Sequence, residues 1–154
     1  MKKTLLTITT VGLMLSGFSA YAVSEIWQTN FETAKKEAAA KKQPILAVFS
    51  GSDWCSWCMK LDKEILSKDE FKNFAKDKLV LFLADFPSSK KLPEATAKQN
   101  QELSEKYDVK GFPTVLILNA DGKVIGKTGY MAGGPKKYVE HLKTMINTQK
   151  EEAK

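Results

Sequence analysis

Apolar residues in this chain follow two rhythms. Unbroken branched runs at Ile45–Phe49, Leu79–Ala84 and Val115–Leu118 read as strands buried on both faces. Elsewhere apolar positions recur at helical spacing. From Ser24 to Lys42 a helix is predicted, with Ile26, Trp27, Phe31 and Ala34 available for one face, Thr29 or Asn30 as cap and Pro44 as terminator. Cys58, Leu61 and Ile65 make a second stripe, and the segment breaks near Ser67. Ser67-Lys68-Asp69-Glu70 has the form of a capping box, so a further helix should start there, burying Phe71, Phe74 and Ala75. Ser88–Gln99 is polar, contains Pro93, and reads as a loop leading into a helix that reaches Tyr107. Asn119-Ala120-Asp121-Gly122 is a turn signal, so Lys123–Thr128 should return antiparallel. Gly133-Gly134-Pro135 precedes a last helix with Tyr138, Val139, Leu142, Met145 and Ile146 inward and a fraying tail from Gln149. Strand, helix and strand joined by a right-handed crossover give a parallel βαβ unit, hence an α/β fold. No internal repeat or second domain is legible.

The first residues stand outside this pattern. Met1-Lys2-Lys3 is basic, Leu5–Phe18 is mostly apolar, and Ala20-Tyr21-Ala22 is a small-x-small site. Residues 1–22 therefore read as a secretory signal peptide, cleaved to leave Val23 first. An uncleaved anchor is the alternative, but the run is short for a bilayer span. No cysteine lies near the cleavage site, against a lipoprotein signal. The expected compartment is oxidising, the periplasm in a Gram-negative cell. Losing Lys2 and Lys3 takes the formal charge from +6 to +4. Every basic residue is lysine, interspersed with acids along predicted helices, as in Lys35-Lys36-Glu37. That is a solvated surface, and no nucleic-acid partner is expected.

Both cysteines fall in Trp54-Cys55-Ser56-Trp57-Cys58, between a buried strand and a helix. Cys55 is placed in the first turn of the helix, where unpaired N–H groups and the dipole stabilise a thiolate, and Cys58 joins the inward stripe. An accessible sulfur that attacks and a sheltered one that resolves make a dithiol/disulfide switch. Other readings are weaker. A structural disulfide across so short a loop contributes little. A zinc site needs four ligands, and the only histidine, His141, is distant. A c-type haem site needs histidine after the second cysteine, where Met59 stands. Burial of two reduced thiols conflicts with Cys55 at a helix start. No cofactor or metal is expected, and His141, at a stripe border, reads as a surface or satisfied histidine.

With Val109-Lys110-Gly111-Phe112-Pro113-Thr114 downstream, and a closing hairpin and helix, the chain resembles the thioredoxin superfamily over nearly all of residues 23–154. It is most similar there to bacterial periplasmic thioredoxin-like proteins of the chlamydial DsbH group of thioredoxin disulfide isomerases. The resemblance implies one thioredoxin-like domain, a central mixed β-sheet flanked by helices. It implies Cys55 as nucleophile, Cys58 as resolving thiol, and a cis Phe112–Pro113 bond facing the disulfide and offering backbone to a substrate strand. It also implies a membrane reductase of the DsbD type as electron donor and, with no dimerisation domain in view, a monomer. The motif dipeptide is Ser56-Trp57, where oxidising relatives place a histidine. The buried strand aspartate of thioredoxin is replaced by Val48 or Phe49, which leaves Glu64, Asp53 or water to accept the proton of Cys58.

The expected function is reduction or isomerisation of protein disulfides through a Cys55–Cys58 cycle, with Trp54, Trp57, Phe112 and Pro113 binding substrate. Two alternatives are a disulfide-forming oxidant and a binding or holdase module without turnover, for which Trp54, Trp57, Phe112 and Tyr130 would supply an apolar surface.

Overall fold

The branched runs form the centre of the molecule. In a computed structural model that describes residues 26–152, β2 (Ile45–Ser50) is buried along its whole length. The expected signal peptide and the Val23 terminus lie outside the described residues. β2 pairs in parallel with β3 (Val80–Asp85), Ile45 opposite Val80 and Ser50 opposite Asp85. On its other side it runs antiparallel to β4 (Thr114–Leu118), which pairs antiparallel with β5 (Val124–Thr128). β1 (Trp27–Gln28) joins the free edge of β3 in parallel. Among the described residues the mixed sheet has five strands in the order β1-β3-β2-β4-β5.

Alternation along the strands sends residues to two cores. Leu46, Val48, Leu81, Val115 and Ile117 face one side, where they meet the motif helix, α3 (Asp69–Lys78) and α5 (Gly134–Glu152). Ile45, Ala47, Phe49, Phe82 and Leu116 face the other, against Phe31 and Ala34 of α1 (Phe31–Lys41) and Leu103 of α4 (Glu94–Lys106). The sheet thus lies between two helical layers, as expected. Gly122 takes a φ of 82° in the β4–β5 turn, a region that favours glycine, and Tyr107 donates its hydroxyl to the Gly122 carbonyl at 2.8 Å.

Four local expectations are corrected. Trp27 is extended rather than helical, because the Asn30 side chain accepts the Thr33 N–H and starts α1 only at Phe31. That cap contributes about 1 kcal/mol. The capping box does not form: the Ser67 hydroxyl turns back to the Asp62 carbonyl at 2.7 Å, and Lys68 occupies the cap position. α4 begins directly after Pro93 rather than beyond Gln99, and α5 stays helical to Glu152 because nothing after Pro135 breaks it.

Candidate active site

The site stands where β2 ends and the chain turns into α2 (Ser56–Leu61). Gly51 makes the turn feasible. A Cβ there would meet the Trp54 indole at 2.4 Å, so only glycine lets that ring fold back. The Trp54 Nε1–H then reaches the Phe86 carbonyl at 2.7 Å. Cys55 is the N-cap of α2, in extended conformation, and its Sγ accepts the Cys58 N–H at 3.2 Å. The two sulfurs are joined in a disulfide, with Cα atoms 5.2 Å apart. Cys55 therefore sits at the positive end of a helix, one position before the expected first turn. Its expected accessibility does not hold in this oxidised form. Cys55 is 7% exposed and Cys58 4%. The bond to Cys58 and the hydrogen bond from its N–H turn the Cys55 sulfur back onto the helix end.

The aromatic side chains next to the cysteines fall into two contact groups. Trp54 and Trp57 are 51% and 55% exposed. Trp54 meets Phe112 edge-on at 5.8 Å, and Phe112 meets Phe86 at 5.0 Å. In the second group Trp57 lies 5.3 Å from Tyr130, and the Lys60 ammonium sits 5.1 Å from both rings. The Tyr130 hydroxyl donates to Glu64 at 2.6 Å, which raises its pKa. The Phe112–Pro113 bond is cis. Because Thr114 pairs with Phe49, Pro113 lies at the motif end of β2. Of the sequence-predicted residues, Trp54 thus meets Phe112, which Pro113 follows, and Trp57 belongs to the separate group around Tyr130. Phe86 was missed, since its only sequence signal is the strand end Asp85-Phe86-Pro87.

A polar frame holds the turn. The Asp85 carboxylate accepts the Ser52 N–H at 3.0 Å and the Ser52 hydroxyl at 2.8 Å, with Lys90 at 3.7 Å. Asn100 donates its side-chain N–H to the Asp85 carbonyl. Asp53 accepts from the Ser89 hydroxyl and from the N–H groups of Ser88 and Ser89. The Ser89 hydroxyl, then those N–H groups, hold its carboxyl down at about 2. Because the loop binds the ionised form, its stabilisation is complete above the unfolded carboxylate's pKa of ~4 and fades as pH falls towards 2. The stability difference between wild type and Asp53→Asn should therefore shrink across that window in acid-dependent urea titrations. A constant difference would show that the carboxylate does not hold the loop.

Behind the disulfide a cavity of about 300 Å³ reaches Cys58. Trp27, Val48 and Leu83 give it apolar walls, and Ser50, Ser52 and Asp62 make it polar. Of the proton acceptors considered from sequence, Asp53 is committed to the 88–89 loop and Glu64 to Tyr130. His141 bonds Thr128 at 3.0 Å through Nε2, as a satisfied histidine.

What this arrangement can do is break and remake one S–S bond beside exposed aromatic side chains, which defines a thiol–disulfide oxidoreductase. Disulfide bond reductase DsbH of Chlamydia pneumoniae is 35% identical over 125 residues, 81% of this chain and 75% of that protein. A protein disulfide-isomerase of Zea mays is 30% identical over 121 residues, covering 77% of this chain but 21% of that protein. A solved DsbH oxidoreductase structure superposes with a TM-score of 0.76 at 34% identity, covering 89% of this chain and 95% of that one. The sequence matches the thioredoxin-like domain family across residues 31–146, and the chain belongs to that family.

Proposed function

We propose that this oxidoreductase works in the periplasm as a reductant or isomerase of protein disulfides. Cys55 attacks the client disulfide and Cys58 resolves the mixed disulfide. Trp54, Trp57, Phe112 and Pro113 hold the client chain. The observation that carries this reading is the placement of the Cys55 sulfur: it caps a helix start and already accepts an N–H, which suits it to bear negative charge. The reducing direction is supported by the relative named for disulfide bond reduction, DsbH.

Motif composition supports it as well. A strong oxidant stabilises its reduced form by holding the attacking thiolate at very low pKa. Ser56 and Trp57 carry no charge, and the ammonium of Lys60 is stacked over Trp57 and Tyr130. Equilibration with a glutathione redox buffer is expected to give a reducing, thioredoxin-like potential of about −270 mV. A value near −120 mV, that of a strong oxidant, would overturn the direction. A reducing protein in an oxidising compartment needs electrons, and a membrane reductase of the DsbD type is the proposed donor. The protein acts as a monomer. Export should leave Val23 as the first residue, and the intact mass of the periplasmic protein checks this. A mass that retains Met1–Ala22 refutes the cleavage.

A further inference from the structure

We propose that Asp62 takes the proton of Cys58 through the cavity the two residues share. The inference rests on the resolving role of Cys58 given above. Cys58 is almost fully buried, yet it must lose a proton before it can attack, and a thiolate made there needs an acceptor within reach. Cys58 and Asp62 are four residues apart, on one side of the helix that leaves the motif, and the Asp62 N–H donates to the Cys58 carbonyl. Both line the cavity behind the disulfide.

Among the described residues, Asp62 is the one ionisable side chain lining that space besides Cys58 itself. Apolar Trp27, Val48 and Leu83 close it from the sheet, and Ser50 and Ser52 add hydroxyl groups. The charged groups around it are engaged elsewhere. Asp85 accepts from Ser52 and lies near Lys90, Asp53 holds Ser88 and Ser89, Glu64 accepts from Tyr130, and Lys60 lies over the aromatic rings. The cavity is far larger than one water needs, and its polar groups supply the partners that keep a bridging water in place. Asp62 is itself exposed, so a proton delivered to it passes on to solvent.

In the step, Cys55 is bound to a client sulfur. The Cys58 S–H proton moves through water to the Asp62 carboxylate, and the Cys58 sulfur attacks the Cys55 sulfur. The Cys55–Cys58 bond forms and the client–Cys55 bond breaks. The client leaves as a thiolate with the electron pair, and Asp62 releases its proton to solvent. When the disulfide is reduced the same route runs backwards and protonates Cys58 as the leaving group.

Stopped-flow reaction of the reduced protein with dithiobis(nitrobenzoate) tests this. The first nitrothiobenzoate release reports attack by Cys55 and scales with reagent. The second reports resolution by Cys58 and does not. Asp62→Asn should slow the second release about tenfold, below the range of enclosed bases because solvent competes, and leave the first unchanged. Asp62→Glu should keep most of the wild-type rate. As pH falls from about 8 to about 6, the wild-type second release should hold up, whereas in Asp62→Asn it should fall in step with the thiolate fraction. An unchanged second release in Asp62→Asn, equal slowing of both releases, or parallel pH profiles would overturn the assignment. Absence of any second release from the wild type would overturn the roles of the two cysteines, and this inference with them.

Discussion

Replacing Cys55 with serine will reduce insulin-reducing turnover to the uncatalysed rate. The loss should be about a thousandfold or more, the scale on which a covalent nucleophile is missed. Serine keeps the size of the side chain and can still cap α2, so the fold should persist and isolate the chemistry. Cys58→Ser should behave differently. Attack by Cys55 survives there, but nothing resolves the product, and the client should accumulate as a mixed disulfide visible on a non-reducing gel. Turnover that survives in Cys55→Ser would remove the proposed nucleophile. Client binding without turnover in the wild type would favour the binding-module alternative.

The largest effect on stability is expected at Phe82. It is fully buried in β3, between β1 and β2 in the sheet, with its ring edge-on to Phe31 at 5.1 Å. Phe82→Ala removes a ring that neighbouring strands and α1 cannot replace, at a cost of about 3–5 kcal/mol. Domains of this kind are stable by only about 5–15 kcal/mol, so much of the folded population should be lost at modest urea. A urea midpoint shift worth less than about 1 kcal/mol would mean that the layer around Phe31 closes over the gap.

The parts legible in sequence are those that local composition decides. β2 and β3 could be read because Ile45–Phe49 and Leu79–Ala84 are long branched runs with no competing period. The last helix could be read because Tyr138, Leu142 and Ile146 hold one stripe. Trp27 could not, since a two-residue strand exists only through its pairing with Leu81 and Phe82. Phe86 became part of the site only through Phe112 and the Trp54 N–H, contacts that join distant segments. The motif located both cysteines, but how a closed disulfide buries Cys55 depends on the direction of a sulfur, which spacing does not encode. Asp62 carries no distinguishing sequence signal for the same reason: it is one acid among the mixed charges of Lys60–Glu64, and the cavity that joins it to Cys58 is walled by β1, β2 and β3.

The helix beyond Leu61 does not continue as an α-helix: Asp62–Leu66 forms one π turn, closed by the Ser67 N–H on the Asp62 carbonyl. Such a turn carries one residue more than an α turn. The spare residue is taken up inside the wider turn, so the helix on either side keeps nearly the phase of an unbroken α-helix. Removing one residue here would let the chain close as an α turn, with Cys58 still facing the cavity and Trp57 still facing Tyr130. A plain α-helix turns by about 100° at each residue, so the same loss without a wide turn to absorb it would swing the cysteine end roughly a quarter turn away from Ile65 and Leu66. The π turn lets this segment change length without turning either sulfur away.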